Sequence, residues 1–192
     1  INRHKRSYDC SYVVPDDRAG VAEVMDYLFE NGHRKVGYFA GKRILGKDHV
    51  EVGSVLFNLV HGAPVPLPEP MPDFEWIIHA AGIASPPFYR KHPIKTIDAN
   101  INGLRNLLNY SVAQADKGKP VEGFLFYSSS EIYGDPTPDW IPTPEHYRGL
   151  VSCTGPRACY DESKRLGETL CVVFAQQHGV PLIDIRLSQM EP

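Results

Sequence analysis

From Trp76 onward the chain alternates between two apolar spacings, and no other feature constrains its fold as tightly. Trp76 to Ala80 is a short, largely apolar run. Ile97, Ile101, Leu104, Leu107, Leu108 and Val112 then recur at three- and four-residue intervals, which is one stripe of a helix. Phe124-Leu125-Phe126-Tyr127 is apolar without interruption and delivers the chain into Ser128-Ser129-Ser130. Tyr160 to His178 reads as a second helix, with Leu166, Leu170, Val173 and Phe174 inward and Gly179 as its stop. Val180 to Leu187 is one more strand. Strands apolar on both faces, separated by helices, predict an α/β chain with a parallel sheet covered on both sides.

The earlier residues keep that rhythm less clearly. Residues 1–11 are polar and basic and are expected to fray. Val21, Val24, Met25, Leu28 and Phe29 form an apolar stripe that Asp16 or Asp17 can cap and Asn31-Gly32 can end. Val36 to Ala40 reads as a buried strand ending at Gly41. Residues 42–75 are the least regular stretch. The run from Val55 to Val60 has strand character, but five prolines between His61 and Pro72 make that segment an extended connection.

Charge and cysteine usage exclude several functions. Twenty basic residues against 23 acidic ones give a net charge of -3, which disfavours non-specific binding to nucleic acid or an anionic membrane. No apolar run approaches the ~18 residues that a spanning helix needs, and residues 1–20 lack a signal-peptide core, so a cytoplasmic protein is expected. Cys10, Cys153, Cys159 and Cys171 form neither a CxxC pair nor a metal-ligand cluster, and are expected to be free thiols.

A dinucleotide-binding unit would open with a glycine-rich turn whose backbone N–H groups meet a pyrophosphate. Gly37, Gly41 and Gly46 do not have that spacing. Gly41 to Lys47 has the GxxxxGK spacing of a triphosphate loop, but Asp48 stands where a hydroxyl should meet magnesium. It reads as an ordinary turn.

Tyr160-Asp161-Glu162-Ser163-Lys164 places a phenol and an ammonium on one helix face, one turn apart. A strand ends in a serine cluster about 30 residues earlier, and open α/β sheets bind ligands in the crevice beyond such strand ends. With these words the chain resembles the extended short-chain dehydrogenase/reductase family, and within it the UDP-glucuronate decarboxylases. The resemblance spans roughly residues 74–187. It is carried by His79-Ala80-Ala81-Gly82, Ala84-Ser85-Pro86-Pro87-Phe88-Tyr89, His92-Pro93-Ile94-Lys95-Thr96, Asn100, Gly103, Ser129-Ser130-Glu131-Ile132-Tyr133-Gly134-Asp135-Pro136 and Gly155-Pro156-Arg157-Ala158-Cys159-Tyr160-Asp161-Glu162-Ser163-Lys164.

The resemblance implies a three-layer Rossmann-like, mostly parallel sheet that is incomplete. Residues 12–192 would form an NAD-binding domain with an atypical N-terminal part, and the C-terminal substrate domain would be largely absent. NAD is the implied cofactor, held by Ala80, Ala81, Gly82, Asn100, Tyr160 and Lys164. The implied substrate is a nucleotide sugar, UDP-linked, and the implied assembly a homodimer through Ile97–Val112 and Tyr160–His178. The reaction would be decarboxylation of UDP-glucuronate to UDP-xylose through a 4-keto intermediate, with epimerisation or 4,6-dehydration as the alternative. Tyr160 would be the base at the sugar's 4-hydroxyl, Ser129 would bond the reacting oxygen, and Glu131 would act near the C5–C6 end. Ser130 stands where dehydratases often carry Asp, which tilts the reading toward decarboxylation. Lys164 would lower the phenol's pKa against the cost of desolvation and hold the nicotinamide ribose; at ~5 Å and an effective dielectric of ~20 its charge is worth about two pKa units.

Each residue also has a plain structural reading: Tyr160 and Lys164 as a surface pair, Ser129 as a turn cap, Glu131 as a solvated acid. Arg157 reads equally as a carboxylate or phosphate ligand and as a surface arginine. His79 is expected to pack beside the cofactor, and Asn100 to bond backbone across the sheet. Residues 12–41 resemble part of the sugar-sensing domain of LacI/GalR-type repressors, in Tyr12-Val13-Val14-Pro15-Asp16-Asp17-Arg18-Ala19-Gly20 and Asn31-Gly32-His33-Arg34-Lys35-Val36-Gly37-Tyr38-Phe39-Ala40-Gly41. That leaves open a fusion of two α/β fragments, or a non-catalytic protein that binds a sugar or nucleotide.

Overall fold

The computed structural model describes residues 26–32, 36–40 and 71–187. The chain divides into two compact units, residues 1–34 and 35–192. In the first, residues 26–30 are helical with Leu28 buried, and the helix ends at Asn31-Gly32 as expected. Asn31 donates from its backbone N–H and its side-chain amide to the Tyr27 carbonyl, and Gly32 turns with φ +91°. The expected cap at Asp16 or Asp17, the run Val55–Val60, the turn at Gly41–Lys47 and Cys10 lie outside the described residues.

The second unit holds a four-stranded parallel sheet: β1 (Val36–Ala40), β2 (Trp76–Ala80), β3 (Gly123–Ser129) and β4 (Leu182–Leu187), side by side in that order. Trp76 pairs with Val36 and Gly123, and Phe124 with Leu182, so every strand runs the same way. Between β2 and β3 lie α1 (Pro86–Lys91), α2 (Pro93–Ile97), a wide π-helical turn (Asp98–Gly103) and α3 (Leu104–Asp116). Between β3 and β4 lie short 3-10 turns at Ser130–Tyr133 and Pro138–Trp140, then α4 (Ala158–His178). The strand order steps in one direction, so right-handed crossovers carry α3 and α4 over the same face of the sheet, where they touch.

That face is the core. Ile77, Phe124 and Phe126 of the sheet pack with Leu104, Leu107 and Leu108 of α3 and Cys171 and Phe174 of α4. Each large side chain removed from water here contributes about 1.5–3 kcal/mol. Ile78 and Leu125 point to the opposite face and are buried there too, at 2% and 7% exposure, which is why these strands do not alternate. The parallel α/β arrangement is the one expected. Gln114, near the end of α3, ties β2 in place: its Oε1 accepts from the Phe74 N–H at 2.9 Å, and its Nε2 donates to the carbonyls of Phe74 and Lys119 at 2.5 and 2.7 Å.

Helix α4 corrects one expectation. Its inward row is Tyr160, Ser163, Lys164, Gly167, Cys171 and Phe174; Phe174 is inward as expected and Leu170 packs half-buried against the core, while Val173 is half-buried and Leu166, 49% exposed, faces out. The helix lies so close to β3 that a Cβ on Gly167 would stand 2.5 Å from Phe126 Cζ. A bulky residue has no room at that contact, and the first turn of the inward row faces a polar crevice. Gly179 ends the helix at φ +69°. Among the described residues Cys153, Cys159 and Cys171 are free thiols, and no helix is long and apolar enough to cross a membrane.

Candidate active site

The C-terminal end of β3 carries Ser129, whose hydroxyl accepts from the Glu131 N–H at 3.3 Å and so caps the following turn. Across from it, the first turn of α4 carries Tyr160 and Lys164, 7% and 5% exposed. The Lys164 ammonium donates to the Tyr127 carbonyl at 2.5 Å and sits 5.0 Å from the Phe126 ring centroid and 5.8 Å from that of Tyr160. The surface-pair reading of these two residues does not hold, because both are buried against the end of β3.

Burial pushes the Tyr160 phenol above its ordinary value of 10.0; Asp161 and Tyr89 act in the same direction, while a hydrogen bond with Ser129 and the Arg157 charge oppose it. Burial also draws Lys164 down to about 8. The expected depression of Tyr160 by Lys164 is therefore not what the protein's own groups produce. The ammonium is committed to a backbone carbonyl, and desolvation of the phenol is the dominant influence on it.

Asn100, on the π-helical turn, is fully buried and donates from Nδ2 to Ser163 Oγ at 2.8 Å; Ser163 in turn donates to the Tyr160 carbonyl at 2.9 Å. The expected backbone contact is thus replaced by a side-chain tie to α4. Asn100 Oδ1 has no partner. It borders Gly82, where a Cβ would lie 2.8 Å from Asn100 Oδ1 and 3.9 Å from Lys164 Nζ. Ala80 ends β2 and Ala81 is buried beside it, so the Ala80-Ala81-Gly82 run leads directly to this cradle.

His79, on β2, is 1% exposed, and neither ring nitrogen completes a hydrogen bond. Burial first, and then the charge of Lys164, pull its pKa down to about 3; polar contacts with the backbone of His79 and Ala99 offset a part. The ring packs against Phe126 at 5.6 Å and lies over Gly103, a neutral wall rather than a proton carrier.

Three neighbours were not singled out from the sequence. Tyr89 of α1 is 1% exposed and stacks on Tyr160, ring centroids 5.3 Å apart and planes 11° apart. Ser163 and Asp161 are buried around the same turn. Ser163 stands three residues after Tyr160, so helical spacing alone points to it; Tyr89 lies in one of the stretches that carry the family resemblance, but no spacing relates it to Tyr160. Arg157 is neither a lone surface side chain nor an open ligand: it pairs with Glu131 and lies 3.6 Å from Asp161.

The structure therefore brings Ser129, Tyr160, Lys164, Asn100 and Gly82 to one crevice, with Glu131 on the turn that leaves it. An orphaned buried acceptor, a buried cation and a surface kept bare by glycine suit a riboside with its hydroxyl groups, so these residues fit the nicotinamide side of NAD. No cluster of three metal-ligating side chains occurs among the described residues.

A parallel α/β sheet with a Tyr–Lys pair beyond its strand ends defines a dinucleotide-dependent class of fold and site. The profile of the NAD dependent epimerase/dehydratase family matches residues 69–191, and the chain belongs to that family. It is 36% identical over 176 residues to UDP-glucuronic acid decarboxylase 5 of Arabidopsis thaliana, covering 88% of this chain and 46% of that one. It is 36% identical over 165 residues to UDP-glucuronic acid decarboxylase 1 of Xenopus tropicalis, covering 83% of this chain and 36% of that one. The chain thus spans less than half the length of these relatives. The fold is also that of UDP-glucose 4-epimerase from Thermotoga maritima, solved with UDP-glucose, at a TM-score of 0.61 and 22% identity over 86% of this chain and 50% of that one. For the Brucella ovis UDP-glucose 4-epimerase in complex with NAD the TM-score is 0.60, at 20% identity over 86% and 47%.

Proposed function

We propose that this chain is the NAD-binding part of a nucleotide-sugar enzyme that decarboxylates UDP-glucuronate to UDP-xylose through a 4-keto intermediate. The observation that carries the proposal is the convergence of Ser129, Tyr160 and Lys164 on the cradle formed by Gly82 and Asn100. The resemblance to UDP-glucuronic acid decarboxylases favours this reaction over epimerisation or dehydration, and Ser130 before Glu131 agrees with it.

Asn100 Oδ1 and Lys164 Nζ would hold the nicotinamide ribose, and Gly82 would let it approach. NAD, when bound, supplies a hydride acceptor for C4 of the sugar and returns the hydride after carbon dioxide has left. Ser129 Oγ orients the sugar's 4-oxygen, and Tyr160 takes its proton. Because burial holds the phenol above 10.0, the base needs a further positive charge beside it, and the oxidised nicotinamide would bring one. A ketone at C4 lies β to the C5 carboxylate, so it accepts the electron pair as the C5–C6 bond breaks; a proton then returns to C5.

The test is carbon dioxide release and UDP-xylose formation from NAD and UDP-glucuronate by the full protein, with Tyr160→Phe as control. Loss of turnover by about 10³-fold or more is expected for Tyr160→Phe. Undiminished turnover in that variant removes the assigned base; a C4 epimer of UDP-glucuronate as product, or a 4-keto-6-deoxy sugar formed when UDP-glucose is supplied instead, replaces the reaction. A homodimer and a cytoplasmic location belong to the same reading. Leu166 and Val172 on the outer side of α4, 49% and 48% exposed, are the surface such a dimer would cover, and a monomer by light scattering removes it.

A further inference from the structure

Arg157, immediately before α4, stands between two carboxylates from different parts of the fold. Its Nη2 pairs with Glu131 on the turn after β3, and its Nε lies 3.6 Å from Asp161 Oδ2, one helical turn further on. The Asp161 side chain is 9% exposed and that of Glu131 25%. Among the described residues Arg157 Nε and Asp161 Oδ1 are buried without hydrogen-bond partners, while the Arg157 side chain as a whole is 38% exposed, and charge holds the guanidinium from two sides. The pair also joins the segment that carries Ser129 to the helix that carries Tyr160.

We propose that Arg157 is a positioning residue: it fixes the Glu131 carboxylate against the first turn of α4, so that Glu131 meets the substrate in one orientation. This rests on the decarboxylase reading, in which Glu131 works near the sugar's C5–C6 end. Among the described residues Arg157 pairs with two members of a crowded acidic cluster, Glu131 and Asp161, while Arg165 lies 3.8 Å from a third, Glu162. Asp135 of the turn and Glu162 of α4 act on Asp161, and Asp161 and Arg157 act in opposite directions on the phenols of Tyr89 and Tyr160. Arg90 of α1 also bears on Tyr89, and the Cys159 thiol lies beside it, 3.7 Å from the Tyr89 carbonyl. Without Arg157, Glu131 loses the ion pair that ties it to the start of α4, and Asp161 loses the charge that offsets Asp135 and Glu162.

The experiment is a double-mutant cycle on the full protein with NAD and UDP-glucuronate, reading kcat and KM separately for Glu131→Gln, Arg157→Gln, Arg157→Lys and the Arg157 variants in the Glu131→Gln background. If Arg157 acts through Glu131, Arg157→Gln lowers kcat about tenfold or more, changes KM by less than about threefold, and lowers kcat no further once Glu131→Gln is present. Arg157→Lys, which keeps the charge, recovers most of the loss. A kcat loss of the same factor with and without Glu131→Gln overturns the proposal and leaves the decarboxylase reading standing, as does a wild-type kcat in Arg157→Gln. A wild-type kcat in Glu131→Gln removes the role given to Glu131 and overturns the proposal, again leaving the decarboxylase reading standing; that reading falls if the wild-type protein forms no UDP-xylose. Where Arg157→Gln does not fold, Arg157→Lys decides: a wild-type kcat, or a loss that vanishes beside Glu131→Gln, supports the proposal, and an undiminished loss overturns it.

Discussion

Acidification should unfold this protein through His79. The ring is buried on β2, among the described residues neither nitrogen completes a hydrogen bond of good geometry, and its pKa in the folded chain is about 3 against 6.5 for a free histidine. Between those values the unfolded chain binds a proton that the folded chain refuses, so stability falls as pH drops through 6.5 toward 3. At about pH 4.5 the unfolded imidazole is protonated and the folded one is not, and two units at 1.36 kcal/mol each give about 2.7 kcal/mol lost relative to neutral pH. That is a large part of the ~5–15 kcal/mol by which a domain is stable. Carboxylates titrate over the same range, and Asp161, whose pKa burial raises, works in the opposite sense. They cancel when the wild type is compared with His79→Leu at both pH values. Urea unfolding should show that His79→Leu gains about 2.7 kcal/mol on the wild type between pH 7 and about pH 4.5, at unchanged m. If the two proteins lose stability in parallel, or the His79 imidazole titrates near 6.5 by NMR in the folded chain, the ring is not held neutral and the reasoning fails.

Other expectations come from packing and charge. Gly167→Ala places its methyl group 2.5 Å from Phe126 Cζ; the overpacking, about 1–3 kcal/mol, should outweigh the ~1 kcal/mol gain in helix propensity and lower the urea midpoint. Gln114→Ala removes the hydrogen bonds to the Phe74 N–H and to the Phe74 and Lys119 carbonyls and should destabilise by about 1–3 kcal/mol in the same assay, with NAD affinity unchanged because the clamp lies at the far end of β2. For Lys164, the folded pKa of about 8 lies below the ordinary 10.5, so the unfolded chain holds more protons in that window and stability should rise with pH. By about pH 9.5 the gain over pH 7 is roughly 2 kcal/mol, absent in Lys164→Met.

Trp76–Ala80 was legible because burial on both faces leaves an apolar run with no polar alternation, and both it and Val36–Ala40 have the expected bounds. The Tyr160–Lys164 pair was legible from spacing, as was the stop at Gly179. The inward face of α4 was not. Hydrophobic periodicity selects Leu166, whereas the packed row contains Ser163, Lys164 and Gly167, because a helix bordering a polar crevice and touching a phenylalanine ring cannot use large apolar residues there. Helices α1 and α2 were missed although Pro86, Pro87 and Pro93 stand at their first turns, positions that proline favours. The stacking of Tyr89 on Tyr160 and the pairing of Arg157 with Glu131 join residues far apart in the chain, and no local pattern encodes such meetings.

The π-helical turn at Asp98–Gly103 makes the spacing of this chain matter as much as its composition. A residue looped into a helix swings everything on one side of it by about 100° relative to the other. Taking out a single residue there, even a chemically idle one, would let the helix close up into an ordinary one. Leu104, Leu107 and Leu108 could then stay seated only if Asn100 swung away from Ser163, so a deletion that spares every named side chain would still dismantle the crevice.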